Sequence, residues 1–232
     1  MSDCLCIEYC FEFSPEVKKS FSLSLDRSNL LMPTSAIESP PSWAALDFHT
    51  CPVCKLDPKQ HPVCPVALNM VNLVEEFQDF LSYAEVTVTV TTDERSYQKK
   101  TDLQQGLSPL LGIIMVSSGC PTMELLKPNV RFHLPFATLE EMAYRSVTMY
   151  LLGQFYKQRK GLTANWSFEE FEEIFSQVGE VNRAFSERLL AASKKDASIN
   201  ALVNLYCLGE MTPRIIPDML DEMEKYFSAY AD

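Results

Sequence analysis

The chain has 232 residues, 47% of them hydrophobic and 22% charged, with 31 acidic against 20 basic side chains and a net charge of −11. That balance can bury a core, which excludes disordered and collagen-like chains. The acidic excess excludes a nucleic-acid partner, since phosphate contacts need clustered basic groups and the chain has only short runs at Lys99-Lys100, Lys157 to Lys160 and Lys194-Lys195.

At the N-terminus, MSDCLCIEYCFEF has neither a basic lead nor a long apolar core, so no secretory signal is expected. The longest apolar run, Leu107 to Val116, contains Pro109 and Gly112 and falls well short of the roughly 20 residues of a membrane-spanning helix. The expected compartment is the cytoplasm. In a reducing compartment the eight cysteines read as metal or thiol chemistry rather than as disulfides.

Leu5, Ile7, Tyr9, Phe11 and Phe13 alternate with Cys4, Cys6, Glu8, Cys10 and Glu12, the period of a half-buried strand. Phe21, Leu23 and Leu25 repeat the pattern after a turn, giving a hairpin with Cys4, Cys6 and Cys10 on its polar face. Residues 27 to 47 are rich in proline and serine and read as a loop. A helix is expected from Pro65 to about Ser82, with Pro65 at the favourable first position and Cys64 at its entrance. Glu85 to Thr91 alternates as a second strand, and Arg95 to Thr101 returns as a polar edge strand. Leu103 to Val116 reads as an apolar helix broken or kinked near Pro109 and Gly112, with a short helix from Pro121 through Leu126.

From Thr138 the pattern is helical. Thr138 to Glu141 and Ser167 to Glu170 have the spacing of capping boxes, the second opening a helix that reaches Ser193. Ser198 to Leu208 and Pro217 to Tyr230 read as two shorter helices. The expected fold is α+β: a small antiparallel sheet of two hairpins with a cysteine-rich metal-binding loop, then a mainly helical half. The boundary falls at residues 1–135 and 136–232, with a single fused domain as the alternative.

The chemistry concentrates in FHTCPVCKLDPKQHPVCPVAL, which carries Cys51, Cys54 and Cys64, with Cys120 following in SSGCPT. Cys51, Cys64 and Cys120 each precede a proline. C-x2-C lets the backbone fold round a metal, and four thiolates can enclose Zn2+ or carry a cubane cluster. His49 and His61 are possible substitute ligands, while His133, between bulky apolar residues, reads as a core histidine. No second C-x2-C pair is present, and the 2+1+1 distribution favours a 4Fe-4S cluster, with Zn2+ as the alternative. Lys55 to Pro58 prevents a helix directly after CPVC, which removes the thioredoxin-like reading. No glycine-rich phosphate loop, G-x-S-x-G or H-E-x-x-H motif is found.

CPVC, HPVCPVAL, SGCP and RFHLPFA together resemble an uncharacterised family of bacterial cysteine-containing proteins over most of the chain. The resemblance implies that Cys51, Cys54, Cys64 and Cys120 belong together, leaves Cys4, Cys6 and Cys10 outside the pattern, and carries no activity. The expected function is a regulatory, redox-sensing or complex-forming protein with a four-cysteine site, acting with a protein partner or as a homo-oligomer. An enzyme with an open metal position, or with Cys120 as nucleophile and His133 as base, is the alternative, as is a structural zinc protein.

Overall fold

The computed structural model describes residues 3–33 and 37–230, without the side chains of residues 208, 210, 212 and 213. Four strands form one antiparallel sheet: β1 (Cys4–Ser14), β2 (Val17–Asp26), β3 (Glu85–Thr92) and β4 (Ser96–Asp102), in the order β2-β1-β3-β4. The two hairpins join through β1 and β3, where Tyr9 pairs with Val90 and Phe11 with Val88. Alternation does what the sequence expects. Leu5, Ile7, Tyr9 and Phe11 are buried, as are Val86, Val88 and Val90, while Cys6 and Glu8 face solvent.

Two helices cover the apolar face of the sheet, α1 (Pro65–Phe77) and α2 (Leu103–Val116). Phe77 of α1 meets Phe11 edge-on at 5.1 Å between ring centroids and stacks on Phe21 at 5.7 Å. Gly106 lets α2 approach the sheet, because a Cβ there would lie 2.7 Å from Val88 Cγ2. A short helix α3 (Lys127–Arg131) and three longer ones follow: α4 (Leu139–Arg159), α5 (Glu169–Ala192) and α6 (Ala197–Met223). Val178, Val181, Phe185 and Leu189 of α5, with Ala201 and Leu202 of α6, belong to the same core as the sheet. A second cluster gathers Ala143, Val147, Tyr150, Phe171 and Phe175 with Ile216 and Met219.

Several boundaries differ from expectation. The α1 helix stops at Phe77 instead of about Ser82, because the Ser82 N–H and hydroxyl both bond to the Asp196 carboxylate, at 2.9 and 3.0 Å. Pro109 does not break α2. The carbonyl it leaves unpaired four residues earlier belongs to exposed Gln105, where water can satisfy it. The expected short helix from Pro121 is a 3-10 turn, Met123–Leu126, leading into α3. Thr138 and Glu141 do form a capping box. Ser167 does not cap α5: its N–H and hydroxyl bond to Asn165 Oδ1, and Glu170 is taken by Lys157 at 2.7 Å. The last two expected helices are one, α6, running past exposed Pro217 and held there by buried Ile216 and Met219 before a final 3-10 segment, Glu224–Tyr230.

Candidate functional site

The loop from residue 37 to Cys64 has little repetitive structure of its own. A 3-10 turn at Ser42–Ala44 and a bridge between Ala45 and Val63 bring its two ends together. Leu46 N–H bonds to Pro62 O at 2.9 Å, and Cys64 N–H to Ala44 O at 2.8 Å. Within the loop, Cys54 N–H bonds back to Cys51 O at 3.0 Å, so CPVC is a tight turn. Cys64 is the N-cap residue of α1, with Pro65 following, and its side chain makes no capping bond.

Cys120 arrives from the far end of α2. Gly119 takes φ +89, a conformation open to glycine at no steric cost, and turns the chain out of the helix. After Pro121, the N–H groups of Thr122 and Met123 point at the Cys120 sulfur and favour its thiolate, while burial works against it and prevails, raising its pKa.

These three segments bring Cys51, Cys54, Cys64 and Cys120 to one cavity of about 30 Å3. The Cys51 and Cys54 thiols are hydrogen-bonded to each other. Burial, and then the charges of Cys54, Cys120 and Cys64, push the Cys51 thiol up to about 12. Burial thus favours the neutral thiol at Cys51 and Cys120. Among the described residues no three His, Cys, Asp or Glu side chains already stand in a metal-holding arrangement. The four sulfurs are neighbours that have not closed round a centre.

The fourth wall of the cavity is α5. Val181, Phe185 and Arg188, spaced i, i+4 and i+7, present one face to it. Arg188 is 3% exposed, and its guanidinium donates to three loop carbonyls: Nη1 to Trp43 O at 2.8 Å and Ala45 O at 2.6 Å, Nη2 to Leu46 O at 3.0 Å. Among the described residues it has no carboxylate partner within ion-pair distance. A buried guanidinium therefore borders the cysteines, and its only hydrogen-bond partners among the described residues are carbonyl dipoles. The sequence reading missed Arg188; its one signal was an arginine on the apolar stripe of an amphipathic helix.

The histidines separate. His49 borders the cysteine cavity with φ +45, but its Nδ1 lies 2.9 Å from Glu187 Oε2. His61 is exposed and does not line the cavity. His133 is half-buried, lines a different, larger cavity, and is hydrogen-bonded through Nε2 to the Tyr9 hydroxyl, 2.6 Å away. Cys120 and His133 thus belong to separate sites. Cys6 and Cys207 are exposed, Cys4 and Cys10 half-buried on the outer face of β1.

A family model described as "Domain of unknown function (DUF6901)" matches residues 7–228, and the chain belongs to that family. No curated protein and no solved structure matches it. No helix among the described residues is long and apolar enough to cross a membrane.

Proposed function

We propose that this is a metal-binding protein of regulatory or complex-forming role, in which Cys51, Cys54, Cys64 and Cys120 together hold one soft cation, Zn2+. The observation that carries this is the meeting of four cysteines from three chain segments on one small cavity bordered by the buried Arg188. Four thiolates round one divalent ion make a doubly negative centre. A neighbouring guanidinium without a carboxylate is the complement such a centre needs. The two N–H groups aimed at Cys120 favour the thiolate that coordination requires. Both features are liabilities in a cluster of neutral thiols.

The size of the cavity, about 30 Å3, favours a single ion over the eight atoms of a cubane. The 4Fe-4S cluster, which the 2+1+1 spacing favours, uses the same four ligands and remains the second reading. A four-thiolate set leaves no open position for substrate, which favours a regulatory role over catalysis. The ligands are only half-buried, so exchange or oxidation can reach them. Loss of the ion would release the loop from the α2 end, changing the surface offered to a protein partner or a second copy, in the cytoplasm where thiols stay reduced.

Elemental and sulfide analysis of anaerobically purified protein tests this. Colourless protein with stoichiometric zinc is expected. Brown protein with iron and matching sulfide would replace the ion by the cluster, and protein that retains neither metal would overturn the proposal.

A further inference from the structure

A second cavity, of about 470 Å3, lies on a face of α5 neighbouring that of the cysteines, between α2, α5, α6 and the segment running from α3 into α4. Its volume is in the range of small-molecule sites, and its walls are mostly apolar, as those of such sites are: Ile113, Leu126, Phe136, Phe175, Val178 and Leu205 are among them. Three features show that it is not simply imperfect packing.

The first is polar. Asn182 lines the cavity, is 2% exposed, and its Oδ1 has no hydrogen-bond partner. A buried amide oxygen left unpaired is costly and rare in native interiors, and a ligand group would satisfy it. The second is charge. Lys99 and Arg145 line the cavity, and among the described residues lining it there is no aspartate or glutamate, in a chain with 31 acidic residues. The third is that neither cation is in an ion pair among the described residues. Arg145 donates from Nη2 to Asn129 O and Phe132 O, both at 2.8 Å, and forms no ion pair among the described residues. Glu141 acts on it electrostatically, but that carboxylate is held in the Thr138 capping box, accepting from Thr138 N–H at 2.7 Å. Lys99, exposed on β4, lies 5.9 Å from the centre of the Phe136 ring and is in no ion pair among the described residues.

We infer that this cavity binds an amphipathic organic anion, its apolar body inside and its carboxylate received by Lys99 and Arg145. The inference does not depend on the metal centre. The two sites nevertheless adjoin: Met123, whose N–H points at Cys120, lines the larger cavity, and α5 walls both.

Calorimetric titration of the purified full chain with decanoate, decanol and decylammonium tests it, the ions kept below their micelle threshold and decanol below its solubility limit. Decanoate should bind saturably at one site, decanol about tenfold more weakly, and decylammonium not at all. Lys99→Glu, an exposed position on the edge strand β4, should weaken decanoate about tenfold and leave decanol unchanged, with its fold checked by circular dichroism. Asn204→Phe, which fills the cavity from a half-buried position on α6, should weaken both. Equal affinity for all three probes, no saturable decanoate binding, or decanoate binding undiminished in both variants would overturn the inference.

Discussion

Arg188 carries more of the site than any residue except the cysteines, because one planar guanidinium reaches three carbonyls of a loop that has few other ties. Arg188→Met leaves those carbonyls unpaired and removes the positive charge beside the sulfurs. A loss of about 3 kcal/mol is expected, read as a lower denaturation midpoint, together with weaker metal retention. Arg188→Lys should recover only part of either, since an ammonium cannot span Trp43, Ala45 and Leu46 together. His133 makes a pH prediction. Burial first, and then Arg145, lower its pKa from 6.5 to about 3, so the folded protein resists protonating it. The unfolded chain binds that proton near pH 6.5. The stability contributed by the neutral ring is therefore complete above that value and is lost as pH falls toward 3. Melting curves should show the wild type losing more stability between neutral pH and about pH 4.5 than His133→Gln. Parallel losses would contradict the assignment.

At the scale of elements, the sequence was most informative where one period decides a segment. The alternation from Leu5 to Phe13 and the valines of β3 specify buried and exposed faces residue by residue, and the structure follows them. It was least informative where partners distant in sequence decide an element's end. Asp196 takes Ser82 out of α1 across 114 residues, and Lys157 takes Glu170 out of a capping box. Prolines misled for a related reason: a missing N–H matters only if the carbonyl it abandons is buried, and Gln105 is exposed. Thr138→Ala should cost about 1 kcal/mol by removing the cap on α4. Gly106→Ala separates local propensity from packing. Alanine gains about 1 kcal/mol in a helix. Its Cβ would, however, meet Val88 Cγ2 at 2.7 Å and Phe11 Cε1 at 3.3 Å in a fully buried contact. Overpacking costs about 1–3 kcal/mol, so a net loss of stability is expected in denaturant titrations, and a gain would mean that α2 and the sheet can move apart.

For the whole molecule, the proposed metal centre would tie the cysteine loop to the start of α1 and the end of α2. The four cysteines were legible as a set because three of them precede proline and two share a C-x2-C turn. The wall that α5 adds was not, because an arginine or asparagine on an apolar stripe looks like an ordinary helix position until the neighbouring loop or cavity is seen. Asn182 and Arg188 are both such residues. Hydrogen exchange should reflect this layout. Metal removal should loosen residues 48–64 and the turn from Ser117 to Met123 first, because backbone bonds there are sparse, while α4 and the sheet keep their protection. If Cys51, Cys54, Cys64 and Cys120 form one centre, each should be needed to hold the metal. The most direct measurement is metal content across single Cys→Ser variants, each checked for folding by circular dichroism. Cys51→Ser, Cys54→Ser, Cys64→Ser and Cys120→Ser should each lose most of the bound metal. Cys6→Ser and Cys207→Ser, exposed and far from the cavity in the chain, should retain it in full. Metal retained by Cys120→Ser, or lost equally from Cys207→Ser, would contradict the four-cysteine centre.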